Sequence, residues 1–206
     1  MTSADTVDDD LRARKRRLRE EMRARRAALD SARRAAASLA AARHVIRELP
    51  WPERPRVALS WPMGEELDTR PLLQALHWLG AVPLLPRMAT RGQPLTFRAW
   101  RPDLELIAHP FGVHEPPPGL PPVLPDLVLA PLLAFDRRGG RLGYGAGFYD
   151  RTFTAIADAG GRPLRAGLCF AAQEVEEVPV DATDVPLELI VTENGLLPIR
   201  PRGECG

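Results

Sequence analysis

From residue 55 onward the chain alternates short apolar runs with amphipathic segments, and this alternation restricts the fold more than any other feature. RVALSWP (56–62) reads as a buried strand. DTRPLLQALHWLG (68–80) reads as a helix, with Asp68 or Thr69 as N-cap, Pro71 in the first turn and Gly80 as the stop. AVPLLP (81–86) reads as the next strand. Strand, helix, strand in that order predicts a βαβ unit with parallel pairing. QPLTFRAW (93–100) and DLELIAH (103–109) read as shorter strands, paired as a hairpin. DLVLAPLLAF (126–135) reads as one central strand, and FYDRTFTAIADAG (148–160) as a helix. LRAGLCF (164–170) and ELIVTEN (188–194) complete the strand set.

The segments before and between these differ in kind. Residues 10–49 hold neither Pro nor Gly and are dominated by Ala, Arg, Glu and Leu, which predicts helix. Asp30 and Ser31 break it into a pair and cap the second member. Leu11, Leu18, Met22 and Leu29 mark the apolar side of the first helix, and Leu39, Val45 and Ile46 that of the second. EPPPGLPPVLP (115–125) holds six of the 22 prolines and is neither helix nor central strand. It is a stiff surface connection or a polyproline ligand, and the former is preferred. The whole predicts a single three-layer Rossmann-like α/β domain over 10–197, with a mostly parallel sheet and an N-terminal helical pair. Residues 1–9 are expected to be a disordered tail, and 198–206 a loose one.

Composition excludes several classes. No apolar run approaches the roughly 18 residues of a membrane-spanning helix. The acidic start MTSADTVDDD has no apolar core for a secretory signal. Cys169 and Cys205 are too few for a disulfide framework or a structural zinc site. His44, His77, His109 and His114 show no metal-ligand spacing. Cys169 is expected to be a small buried hydrophobe, and Trp51, Trp78 and Trp100 packing residues. A cytoplasmic monomer is expected, with small-molecule partners and neither nucleic acid nor membrane.

Charge is unevenly spread. Residues 1–34 carry 11 basic and 7 acidic side chains, while the rest is net acidic. The basic segment is a solvated helix face or a binder of phosphates or nucleic acid. It lacks interleaved aromatics, which weighs against nucleic acid. Of the 28 basic residues only Lys15 is lysine. Where arginine is used almost everywhere, a lone lysine marks a position suited to a compact, flexible ammonium.

The loop DRRGGRLGYGAG (136–147) stands between a strong strand and a helix. Gly143, Gly145 and Gly147 alternate, so the backbone turns sharply and approaches a ligand closely. Amides at the following helix N-terminus suit phosphate. Arg141 and Arg151 flank the loop, and Asp150 suits a divalent cation bridging phosphates. Glycine spacing alone does not separate this from an incidental flexible loop. It is neither a Walker loop nor a GxGxxG dinucleotide motif. Tyr144, Phe148 and Tyr149 add aromatic surface, which suggests a nucleotide beside a flat, ring-bearing substrate.

PLLAFDRRGGRLGYGAGFYDR (131–151) resembles the hallmark P-x-x-AFD-x-x-G-x-RLGYGGGYYDR of the 5-formyltetrahydrofolate cyclo-ligases. KRRLR (15–19), EELDTRPLL (65–73), LPR (85–87), FGVHEP (111–116) and 167–193 resemble further segments of that family in order. The resemblance implies ATP and magnesium, and conversion of 5-formyltetrahydrofolate to 5,10-methenyltetrahydrofolate; the alternative is a family paralogue that binds ATP and takes a different formylated substrate. It implies that Lys15, Arg16, Arg17, Leu18 and Arg19 meet ATP, with Arg19 also near the folate. Arg141, Leu142, Gly143, Tyr144, Gly145, Ala146, Gly147, Phe148 and Tyr149 fall on the ATP loop. Trp61, Glu66 and the stretch Tyr144, Gly145, Ala146, Gly147, Phe148 fall on folate contacts, and Asp150 and Asp184 on magnesium ligands. Lys15, Arg141 and Tyr149 are the expected catalytic residues. Ala146, Phe148 and Thr183 depart from the usual Gly, Tyr and His of the family.

Overall fold

The computed structural model describes residues 3–49, 51–90, 92–110 and 112–199. Helix α1 (Ser3–Ala27) is followed by α2 (Ser31–Glu48). Asp30 caps α2, its carboxylate accepting from the Arg33 amide at 2.8 Å. The remaining order is β1 (Arg56–Ala58), α3 (Arg70–Trp78), β2 (Val82–Arg87), β3 (Thr96–Ala99), β4 (Ile107–Ala108) and β5 (His114–Glu115). Then come β6 (Leu127–Ala130), β7 (Ala134–Phe135), β8 (Arg141–Leu142) and α4 (Phe148–Asp158). Last are β9 (Leu164–Leu168), β10 (Leu189–Thr192) and β11 (Gly195–Pro198).

The main sheet runs β11-β10-β9-β6-β1-β2-β3. Its five inner strands are parallel, and the edge strands β3 and β11 are antiparallel. One face packs on α2 and α3 through Ala41, Val45, Leu72, Leu73 and Leu76. The other packs on α4 through Phe153 and Ile156. The three-layer α/β expectation and the βαβ unit are therefore found. The chain leaves β1 toward β2 and leaves β6 toward β9, so strand order reverses between β1 and β6. In open α/β sheets that reversal opens a crevice at the carboxyl ends of the strands.

Helix α1 docks separately. Met22 is fully buried against Leu133, Ala134, Leu142 and Val178, with Leu18 beside it. Burying a methionine stabilises by about 1.5–3 kcal/mol. That contact seats the helix over the loop entering α4.

Several expectations are corrected. The helix begins at Ser3, within the stretch 1–9 expected to be a disordered tail. β3 pairs with β2 and β4 with β5, so 93–100 and 103–109 do not form a hairpin together. The run 126–135 is two strands: proline 131 has no N–H to continue a ladder, and β7 turns away to pair with β8. Strand β11 takes up residues 195–198 beside β10, leaving the loose tail expected from 198 mostly outside the described residues. Cys205 also lies outside them. Leu39 faces solvent, because the buried side of α2 is Ser38, Ala41, Ala42 and Val45. Trp78 is 78% exposed and is not a packing residue. Trp100 and Cys169 are buried as expected. The proline-rich segment runs along β3, where the Val123 amide meets the Phe97 carbonyl at 3.0 Å, as a surface connection does.

Candidate active site

A cavity of about 440 Å³ opens at the reversal point, lined by Ser60 and Trp61 after β1 and by Pro131 after β6. Glu66, Arg141, Gly143, Tyr144, Ala146, Gly147, Phe148, Tyr149 and Asp150 also line it. The loop is shaped from below by Asp136, which is fully buried. Its carboxylate accepts from the amides of Arg138, Gly140 and Val178 at 2.9 Å each. Gly145 (φ 103°) and Gly147 (φ 63°) adopt left-handed backbone that only glycine takes without strain. Ala146 has no positive φ, since Arg54 is the only such non-glycine among the described residues. The methyl that departs from the family pattern is therefore tolerated. Gly147 ends the loop and caps α4, whose first residues Phe148, Tyr149 and Asp150 line the cavity.

Arg141 is 7% exposed. One guanidinium nitrogen, Nη2, donates to Asp150 Oδ1, and Nη1 is buried with no hydrogen-bond partner among the described residues. The guanidinium lies 5.8 Å from the Tyr149 ring centroid and 5.4 Å from that of Phe153. A buried, half-satisfied guanidinium beside a helix N-terminus has the chemistry to accept an anion. The Val185 amide also donates to Asp150 Oδ1, at 3.2 Å, one residue after Asp184 in the chain.

Lys15 reaches this cluster from α1. Its Nζ donates to Asp184 Oδ2 and to Asp181 Oδ2, both at 2.6 Å. Burial pulls the ammonium pKa down, but the hydrogen bonds and charges of Asp181 and Asp184 outweigh it and hold it above the ordinary value. The Lys15 hydrogen bond, with that of Thr183, holds Asp181 far below the usual carboxylate range. Thr183 donates to Asp181 from its hydroxyl (2.5 Å) and its amide (2.9 Å). Arg19 Nε donates to the Gly143 carbonyl at 2.9 Å. Leu18 packs into the core, while Arg16 and Arg17 are exposed on the outer face of α1.

A second polar group forms at Glu66. Burial raises its pKa, against the lowering effects of hydrogen bonds from Tyr144 and the Met63 amide and of the nearby Arg26 charge. The Tyr144 hydroxyl donates to Glu66 Oε1, and the Met63 amide donates to Oε2 at 2.9 Å. Arg26 Nη1 donates to the Tyr144 oxygen at 2.7 Å. Trp61 stands across the cavity beside His114, 6.3 Å between ring centroids. Phe148 lies under the Arg151 guanidinium at 5.4 Å. Burial pushes the Tyr149 phenol pKa up, so its hydroxyl stays neutral.

The structure thus gathers Trp61, Glu66, Arg141 and the 143–150 loop on one cavity, with Lys15, Arg19 and Asp184 adjoining. Sequence reading missed Arg26 and Asp181. For Arg26 a signal existed, since it follows Leu18 and Met22 at helical spacing and so lies on the buried side. Glu115 was noted only as part of a motif. Its buried carboxylate accepts from the Met88 amide at 3.0 Å and fixes the cavity wall after β2.

Among the described residues no group of three or more His, Cys, Asp or Glu is arranged to hold a metal ion. Asp150, on Arg141, and Asp184, on Lys15, are two hard carboxylates. That donor set fits magnesium, which takes one or two carboxylates and completes its shell with phosphates and water.

A mostly parallel sheet with its cavity at the strand reversal, a glycine loop and buried cations is the architecture of an α/β enzyme. The model of the 5-formyltetrahydrofolate cyclo-ligase family matches residues 11–193, and the chain belongs to that family of ligases. The 5-formyltetrahydrofolate cyclo-ligase of Haemophilus influenzae is 32% identical over 178 residues, covering 84% of this chain and 94% of that protein. That of Escherichia coli K12 is 37% identical over 141 residues, covering 66% and 76%. The solved 5,10-methenyltetrahydrofolate synthetase of Aquifex aeolicus superposes with a TM-score of 0.76 at 27% identity, covering 93% of this chain and 96% of that one.

Proposed function

We propose that the protein uses ATP and magnesium to close the ring of 5-formyltetrahydrofolate, giving 5,10-methenyltetrahydrofolate, ADP and phosphate. The observation that carries this reading is the unpartnered Nη1 of buried Arg141, at a glycine loop and helix N-terminus that share a cavity with Glu66 and Trp61.

A formamide oxygen is a poor leaving group. In the reading, that oxygen attacks the γ-phosphorus as the bond to ADP breaks, giving an imidate phosphate. Nitrogen 10 then attacks the formyl carbon, loses its proton, and the carbon–oxygen bond to phosphate breaks. Phosphoryl transfer needs positioning and charge neutralisation rather than a protein nucleophile. Lys15, Arg141 and the amides of 143–149 neutralise the phosphates. Arg19, fixed on the Gly143 carbonyl, ties α1 to the nucleotide loop. Asp150 and Asp184 would hold magnesium, which supplies further neutralisation. Tyr149 presents a neutral hydroxyl. Glu66 accepts from ring N–H and amino groups of the pterin, with Trp61 and Phe148 packing on the rings. In the same reading the protein works in the cytoplasm, and its partners are ATP and a reduced folate.

The test is near-ultraviolet absorbance of purified protein with 5-formyltetrahydrofolate, magnesium and ATP. The methenyl product absorbs there and the substrate does not. Growth of the band that needs both ATP and magnesium is expected. No band with ATP binding intact would overturn the substrate assignment.

A further inference from the structure

We propose that Arg26 is a positioning residue for the substrate ring: acting through the Tyr144 hydroxyl, it sets Glu66 as a fixed acceptor facing the cavity. The inference rests on the functional reading above and deepens it.

The argument starts from donor counting. A guanidinium donates and never accepts. Arg26 Nη1 lies 2.7 Å from the Tyr144 oxygen, so that oxygen is the acceptor there. The hydroxyl has one proton, and with Arg26 in place it points at Glu66. The other Glu66 oxygen already receives the Met63 amide. Both oxygens therefore face a donor, which fixes the plane of the carboxylate and its acceptor role. A carboxylate has about four lone-pair sites, so two acceptor directions remain for a ligand. Glu66 and Tyr144 both line the cavity, whereas Arg26 stands behind them at the end of α1.

Three further observations agree. Arg26 is only 7% exposed, where an arginine without a task is costly. Its side chain holds Tyr144 twice, by the hydrogen bond and by the guanidinium lying 5.8 Å from the ring centroid. Its charge favours the ionised form of Glu66 against burial. A planar ring with adjacent N–H donors meets, in this arrangement, an acceptor whose direction is settled before it arrives.

A merely structural Arg26 would seat α1, and its loss would weaken everything the helix contributes. The positioning role is selective. The test is equilibrium titration of the full-length protein with 5-formyltetrahydrofolate and, separately, with ATP, on wild type, Arg26→Gln, Tyr144→Phe and the double variant. The expected result is a folate affinity lower by roughly 10- to 100-fold in Arg26→Gln, the range of a charge-assisted hydrogen bond. ATP affinity is expected to stay within about twofold, and Tyr144→Phe is expected to add little to Arg26→Gln, because both break one relay. Unchanged folate affinity in Arg26→Gln overturns the proposal. So do equal losses for folate and ATP, or losses that multiply in the double variant. Tyr144→Phe keeps the ring and leaves the sequence of α1 unaltered, so unchanged folate affinity there overturns the proposal even if Arg26→Gln does not fold. Wild-type protein that binds ATP but no reduced folate overturns the functional reading itself, a different outcome from wild-type binding with indifferent variants.

Discussion

Two groups of charges adjoin the cavity, and they are built differently. In one, cation and anion touch: Lys15 on Asp181 and Asp184, Arg141 on Asp150. In the other, a phenol stands between them, with Arg26 on one side of Tyr144 and Glu66 on the other. A direct pair is exchangeable. A stronger partner for the carboxylate releases the cation toward a new anion. A phenol-bridged pair is directional, since one proton decides which side donates. Phosphates and a divalent cation suit the first arrangement, and a flat ring with fixed N–H donors suits the second.

The largest expected break in this contrast is Arg141→Ala. It removes the buried donor and leaves Asp150 without its cation. The rate of methenyl product formation at low substrate is expected to fall about 10²- to 10³-fold, the cost of one preorganised donor. A loss under tenfold would place the anion receptor elsewhere. Lys15→Ala is expected to weaken ATP by roughly 10- to 100-fold while folate affinity holds. Lys15→Arg should recover this poorly, because a planar fork does not replace a point ammonium.

Glu66→Gln sharpens the other side. Folate affinity is expected to drop by about tenfold with ATP unaffected, since an amide presents only one acceptor oxygen. Glu66 also predicts opposite pH trends. Its pKa in the folded chain is raised, so the acceptor form is present above that pKa and is lost as pH falls through it. Folate affinity therefore weakens on acidification. Folding stability moves the other way, because ionising a carboxyl whose folded pKa is raised costs stability as pH rises through it. Titrations in Glu66→Gln should lose both trends. The smallest effect belongs to Thr183→Val, which takes one hydrogen bond from exposed Asp181. A two- to fivefold change in ATP affinity is expected, about one ordinary hydrogen bond, with no change for folate.

Much of this is legible in the sequence. The switch from helical to strand-and-helix patterning near residue 55 predicts the sheet, and the alternating glycines predict the loop. Lys15 was visible as a singular residue. The exceptions have physical causes. An apolar run carries no mark of where a ladder ends, so 126–135 read as one strand although Pro131 breaks it. Arg26 is one of 27 arginines, and only its place on the apolar stripe of α1 sets it apart. Asp181 sits in a loop whose partner is 166 residues away, and no local pattern encodes such a pairing. Trp78 misled because size argues for burial, while its position on α3 turns it outward.

The docking of α1 also sets a schedule. Its functional side chains meet partners 118, 124 and 169 residues later in the chain. At roughly 5–20 residues per second, ribosomes need on the order of ten to thirty seconds to bridge the longest of these gaps. For most of that interval the helix exists without the surface that Met22 enters, since Leu133, Ala134 and Leu142 come more than 100 residues after it. It is charged on most sides and apolar along one stripe, a pattern that stays in solution alone. The loop around Gly143, which Arg19 holds, emerges before the Asp181–Asp184 turn, which Lys15 holds. The earliest helix thus closes on one of the latest turns of the chain.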